Sequence, residues 1–323
     1  MDAINVLSLF DGISCGQYAL ELAGIPVKRY YASEIDENCI KITQKNYPNT
    51  IQLGDVRNLT YNHLITLPCG AGQLDLLIGG SPCQDLSIAG TRKGLDGNRS
   101  CLFWEFVRVL KTIKPKYFLF ENVASMKNED KEIITKTLGV EPILINSALV
   151  SAQTRKRYYW TNIPNVQQPE NKGILLKDIL ESGVAPQNKS YCLTETYHKA
   201  SFSDFVKKHT RTMIAMPIRL GHLEGRSNAQ ANRVYSIEGK SVCLNANGGG
   251  GAKTGLYKID LPDGDYIIRK LTPIECERLQ TLPDNYTAGV SNSSRYKAIG
   301  NGWTCEVIAH ILKGMVEDDK LQK

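Results

Sequence analysis

Asp75-Leu76-Leu77-Ile78-Gly79-Gly80, running on into Ser81-Pro82-Cys83-Gln84, is the stretch on which the fold turns. A short apolar run closed by two glycines reads as a strand buried on both faces, the pattern of a central strand in a parallel sheet. Open α/β sheets bind ligands beyond the carboxyl ends of their strands, so Cys83 stands in a turn, partly fixed by Pro82, where a nucleophile would sit. An isolated cysteine is more often a small buried hydrophobe. The neighbourhood has to decide between the two.

On either side of this stretch, residues 4–165 alternate apolar runs with helical spacing. Strands are expected at 4–10, 29–34, 75–79, 117–121, 142–148 and 157–162, with a further one leading into Leu53-Gly54-Asp55-Val56. Helices are expected at 15–23, 36–46 and 101–113, the last carrying Leu102, Phe103, Phe106, Val109, Leu110 and Ile113 as its sheet-facing stripe. This succession predicts an α/β fold with a doubly wound, mostly parallel sheet. From about residue 166 the pattern breaks into short strands and turns, including Asn247-Gly248-Gly249-Gly250-Gly251, before helices return at 272–280 and 303–316. The expected division is 1–165 plus 269–323 as one domain and 166–268 as a smaller, irregular second one.

At 323 residues and 42% hydrophobic, the chain can bury a full core. No apolar run is long enough to span a bilayer and no leader pattern opens the chain, so a cytoplasmic location is expected. The nine cysteines include no CxxC pair, which suggests neither a metal site nor a disulfide framework. The net charge of +6 is local: residues 189–260 hold eleven Lys/Arg against five Asp/Glu. A basic segment beside a neutral domain suits a polyanion such as nucleic acid, or is simply a solvated face.

Two clusters of candidate residues lie at the strand ends. Phe10-Asp11-Gly12-Ile13-Ser14-Cys15-Gly16 follows the first strand and opens the first helix, a cofactor-loop pattern that is not GxGxxG. Glu34 and Asp55 end the next two strands, and the three together describe a pocket for an adenosine-like ligand. The second cluster begins with Glu121 of Glu121-Asn122-Val123. An acid ending an apolar run should be desolvated, which favours its protonated form and suits a proton donor. Arg155 and Arg157, two apart in Gln153-Thr154-Arg155-Lys156-Arg157, should point the same way if extended. One could anchor an acid and the other a carbonyl oxygen or phosphate, or both could belong to a surface basic cluster.

Read in order, these motifs resemble the DNA (cytosine-5) methyltransferase family from end to end. The match continues through Pro82-Cys83-Gln84, Arg269-x-Leu271-Thr272-Pro273-x-Glu275-Cys276-x-Arg278-Leu279-Gln280 and Gly300-Asn301-Gly302-Trp303. The first half is especially similar to the animal de novo methyltransferases, whereas Gln84 resembles the bacterial branch, and a compact bacterial or phage enzyme is expected. The resemblance implies the S-adenosylmethionine-dependent methyltransferase fold and a target recognition region over 166–268. It implies Cys83 as the nucleophile adding to carbon 6 of a flipped-out cytosine and Glu121 as the acid at ring N3. Arg157 would hold the cytosine O2 and Arg155 would orient the acid.

S-adenosylmethionine would be held by Phe10, Asp11, Gly12, Ser14, Gly16, Glu34, Ile35, Asp55 and Val56, with Pro82, Leu102, Asn301 and Trp303 completing the pocket. Gln84, Ser87, Arg92, Lys93 and Arg99, in the polar loop after Cys83, would meet double-stranded DNA. Arg219, Arg226 and Arg233 of the basic segment would join them. A companion restriction endonuclease is compatible with such an enzyme. The competing readings are methylation of tRNA on the same scaffold and a silent, methyltransferase-like DNA-binding subunit. The substantial recognition insert argues against the first, and the intact Cys83, Glu121, Arg155 and Arg157 against the second.

Overall fold

The computed structural model describes residues 1–67, 74–81, 101–183, 185, 187–201, 211–217, 234–236, 256–261 and 264–321. Seven strands form one sheet: β1 (Ile4–Leu9), β2 (Val27–Ser33), β3 (Ile51–Gln52), β4 (Leu76–Gly79), β5 (Tyr117–Val123), β6 (Ile143–Asn146) and β7 (Lys156–Thr161), in the order β3-β2-β1-β4-β5-β7-β6. Every pairing is parallel except those of β7, which runs antiparallel to both β5 and β6. The expected doubly wound, mostly parallel sheet is therefore present. The order reverses beside β1, so the ends of β1, β2 and β4 open onto a common crevice.

The run that opened the sequence reading is β4, and all four of its residues are buried. Alternation along the strands splits the core between two faces. Leu7, Leu9, Leu77, Phe118, Phe120 and Trp160 face α4 (Cys101–Ile113) and α5 (Asn128–Leu138), meeting Phe103, Phe106, Val109 and Ile134. On the other face Val6, Leu76, Ile78, Leu119 and Tyr159 lie under α1 (Cys15–Leu22) and α8 (Cys305–Leu321). The expected α4 stripe is the buried one, with Leu102 and Leu110 packed at its edge.

Four elements depart from the sequence expectation, the short α3 (Tyr61–Ile65) among them. β3 is only two residues long, α5 was not expected, and neither was α7 (Asn292–Asn301). α2 (Glu37–Asn46) and α3 complete the first half. α6 (Pro273–Leu279) begins with Thr272 and Glu275 capping one another reciprocally, with Pro273 in the first turn.

A third core joins Ala152 and Leu176, Ile179, Leu193 and Tyr197 of the segment 166–201 to Leu271, Leu279, Tyr296 and Ile299. That segment thus shares its interior with α6 and α7. A second sheet, in the order β8-β11-β10-β9, is made of β8 (Met213–Pro217), β9 (Val234–Ser236), β10 (Leu256–Leu261) and β11 (Gly264–Lys270). Among the described residues no helix is long and apolar enough to cross a membrane.

Candidate active site

The loop after β1 is held in an unusual backbone shape. Phe10, Gly12 and Ser14 all have positive φ, near 58–59°. The left-handed region costs a non-glycine residue on the order of 1 kcal/mol. Phe10 offsets it by packing against the sheet core, and the loop is clamped by Tyr286 Oη donating to the Ile13 carbonyl at 2.7 Å. Asp11 accepts from Tyr30 Oη at 2.8 Å and from Ser14 Oγ. Burial nevertheless raises its carboxyl above the ordinary range. A Cβ on Gly16 would lie 2.4 Å from Ile78 Cδ1 and 2.7 Å from Tyr30 Oη, so any larger residue would have to push these side chains aside.

Glu34, directly after β2, accepts from the amides of Gly12 at 2.7 Å, Ile35 at 2.7 Å and Asp36 at 2.8 Å. It ties the first loop to the second. Ile35 beside it is 67% exposed, a large apolar side chain left at the rim of the crevice. Asp55 follows β3, and the Arg57 side chain holds its carboxyl below the usual range. A half-buried aromatic, an open apolar side chain and carboxylates at three adjacent strand ends fit a nucleoside, whose base is flat and whose sugar donates hydrogen bonds. Val56 is buried below them. Asn301, at the end of α7, lines a small pocket with Asp36, Asn38, Cys39, Ser294 and Lys297.

The second cluster assembles at β4 and β5. Glu121 is 8% exposed, as the sequence predicted for an acid in an apolar strand. Its Oε1 pairs with Arg157 Nε at 3.0 Å, and its Oε2 accepts from Trp303 Nε1 at 3.2 Å. Gly80 lies directly against this carboxylate: a Cβ there would be 2.7 Å from Glu121 Oε2. Asn122 Nδ2 donates to Ser81 Oγ at 3.3 Å and to the Ser81 carbonyl at 3.4 Å. Two successive residues of β5 thus fix the chain immediately before Pro82-Cys83. Pro82, Cys83, Gln84, Ser87, Arg92, Lys93, Arg99, Arg219, Arg226 and Arg233 lie outside the described residues.

Both arginines reach the same atom, Cys192 Sγ, and so do point the same way. Their division of labour differs from the expectation, because Arg157 rather than Arg155 holds the acid. The register explains this. Glu121 pairs with Tyr159 across the antiparallel strands and Val123 with Arg157, which makes Arg157 the diagonal neighbour of Glu121 and places Arg155 beyond the strand end. Arg155, 4% exposed, donates instead to the carbonyls of Leu193 at 3.0 Å, Gly300 at 3.3 Å and Gly302 at 3.0 Å.

A buried amide and hydroxyl network supports the cluster. Gln153 Nε2 donates to the Leu279 carbonyl and Gln280 Oε1, while Gln280 Nε2 donates to the carbonyls of Ile299 and Gly302. Thr304 Oγ1 donates to Gln280 Oε1 and accepts from Ser147 Oγ. Gly302, whose carbonyl takes bonds from both Arg155 and Gln280, fixes the chain just before Trp303. Cys192, Ser147 and Thr304 carry no signal in the sequence, and Trp303 is expected only beside the cofactor. Nothing in the local pattern marks them, since their partners lie far away along the chain.

A family model described as C-5 cytosine-specific DNA methylase matches residues 4–317. Among curated relatives, the type II methyltransferase M.HhaI of Haemophilus parahaemolyticus is 28% identical, the match covering 96% of this chain and 94% of that protein. The orphan methyltransferase M.SPRI of Bacillus phage SPR is 25% identical over 98% of each. Among solved structures, the Entamoeba histolytica methyltransferase EhMeth superposes with a TM-score of 0.68 at 18% identity, covering 98% of this chain and 99% of that one.

Proposed function

The chain belongs to the C-5 cytosine-specific DNA methylase family, and from that premise we propose that it methylates carbon 5 of a flipped-out cytosine in a specific double-stranded DNA sequence through a covalent Cys83 intermediate. It is a DNA (cytosine-5) methyltransferase of the S-adenosylmethionine-dependent fold. The observation that carries the finer reading is the Glu121 carboxylate, buried between Arg157 and Trp303 and resting on Gly80, three residues before Cys83. An acid, two cations and a thiol are what activating a cytosine ring requires.

S-adenosylmethionine, held by Phe10, Asp11, Glu34, Ile35 and Asp55, supplies an electrophilic methyl group on a sulfonium. The Cys83 thiolate forms a bond to carbon 6, and the electron pair pushed through the ring makes carbon 5 nucleophilic. Glu121 shares a proton with ring N3 as that charge develops, and Arg157, already on Glu121, offers its remaining donors to the O2 side. Transfer of the methyl group would leave S-adenosylhomocysteine, and loss of the carbon 5 proton to a water with departure of Cys83 would then restore the ring and the thiolate. A carbon inside a duplex cannot be reached from a sheet edge, so the base must leave the stack. Gln84, Ser87, Arg92, Lys93 and Arg99 follow Cys83 in sequence and would close on the DNA. The region 166–268, with Arg219, Arg226 and Arg233, would read the target.

The test is transfer of labelled methyl groups to duplex DNA, with tRNA as competitor. Wild-type protein should label the duplex, and Cys83→Ala should lose activity entirely. A Cys83→Ala variant as active as wild type would refute the covalent step. Bisulfite sequencing of DNA from cells expressing the protein reports the target sequence. Comparing that sequence with any nuclease encoded nearby decides whether a companion restriction endonuclease exists.

A further inference from the structure

Cys192 touches both arginines of the catalytic cluster and has no part in the chemistry above. It lies in the strap 187–201, where its Sγ accepts from Arg155 Nη1 at 3.4 Å and from Arg157 Nη2 at 3.8 Å, and sits 3.5 Å from the Leu193 carbonyl, to which the protonated thiol donates. Arg155 is a buried guanidinium whose other bonds all end on backbone carbonyls. Buried cations need a compensating anion, because carbonyl dipoles replace only part of the lost hydration. Among the described residues, the sulfur of Cys192 is the ionisable acceptor that reaches it.

We propose that Cys192 is a positioning residue for methyl transfer: as a thiolate it is the counter-charge of Arg155 and anchors Arg157 Nη2, which aims Arg157 Nε at Glu121. The inference rests on the reading of Glu121 and Arg157 as catalytic residues. The ionisable groups facing the sulfur are Arg155 and Arg157, with Glu121 of β5 on the far side of Arg157. Burial pushes this thiol up, but the two guanidinium charges outweigh burial and hold it below the usual thiol range. The sign follows: the thiolate is present above that lowered value and is lost as pH falls through it. With the sulfur protonated, its hydrogen turns to the Leu193 carbonyl, Arg155 keeps only carbonyl partners, and Arg157 Nη2 loses the charge that anchors it.

The experiment compares wild type, Cys192→Ser and Cys192→Asp. Serine keeps the shape and removes the charge; aspartate restores the charge. Cys192→Ser should lower kcat by about tenfold while KM for S-adenosylmethionine stays within about twofold. Cys192→Asp should recover most of the rate and extend the acid limb of the pH profile to lower pH, because a carboxyl protonates later than a thiol. The ultraviolet thiolate absorbance of wild type minus Cys192→Ser, followed with pH, should titrate below an ordinary cysteine. Wild-type kcat in Cys192→Ser, or a difference titration at or above the ordinary thiol value, would overturn the proposal. If wild-type protein transfers no methyl group, the functional reading fails first, and the absorbance titration still decides whether Cys192 is a thiolate.

Discussion

Glu121 has both carboxylate oxygens engaged, one by a cation and one by an indole N–H. Replacing it by glutamine keeps the shape and removes the proton relay. Glu121→Gln is expected to lower kcat by about 10²–10⁴-fold, with calorimetric binding of S-adenosylmethionine unchanged. Gly80 gives a second handle on the same atom. The Cβ of Gly80→Ala would sit 2.7 Å from Glu121 Oε2 and 3.2 Å from Trp303 Nε1, so one of them has to move. A displacement on the order of 1 Å at a reacting group can cost about 10²-fold. Steady-state kinetics should show that loss in kcat, with the thermal midpoint little altered. The burial of Glu121 and the common direction of Arg155 and Arg157 were legible in the sequence, the first from its apolar run and the second from the two-residue spacing. Which arginine meets the acid was not, because it depends on the register of β7 against β5, and register is a property of the assembled sheet.

At the scale of elements, α6 carries two fully buried glutamates. Glu275 is gripped by Arg269 at 2.6 and 2.7 Å, and Glu277 accepts from Asn285 N, Thr287 N and Arg295 Nη2 at 2.7, 2.8 and 2.9 Å. Glu277 therefore organises the turn between α6 and α7, while Glu275 ties Arg269 of β11 to the start of α6. Removing one member of a buried pair leaves an uncompensated charge and costs about 3–5 kcal/mol. Arg295→Ala should lower unfolding free energy by about 3 kcal/mol in denaturant titrations, a loss that a purely surface arginine would not produce. The central strands and α4 were legible because their apolar runs and stripe are dense. α5 was not, for its sequence is mostly polar, although Glu129 and Asp130 in its first turn and Gly139 with φ 72° at its end are helix signals. α7 is equally poor in apolar periodicity and is ordered by its partners, through Ser291 at its cap and Lys297 on Asp36 of the α2 cap.

Over the whole molecule, the doubly wound sheet could be read from the strand and helix succession, whereas the sharing of a core between 166–201 and α6 and α7 could not. No local pattern links Leu193 to Leu279 or Tyr296. Gly300 shows how tight that junction is: a Cβ on it would lie 2.4 Å from the Thr194 carbonyl carbon and oxygen. Arg155 bonds the carbonyls on both sides of the same seam, at Leu193 and Gly300. The seam joins chain segments separated by more than a hundred residues, and closing so long a loop is slow compared with forming the βα units beside it. Refolding should therefore be biphasic. Far-ultraviolet dichroism should return ahead of methyl transfer, with Trp303 fluorescence following the later phase. Simultaneous recovery of both signals would contradict that order. The chemistry of this enzyme is in this sense the last thing its chain learns to do: the acid and its strand are in place early, but the lock that holds them closes only when the far ends of the sequence meet.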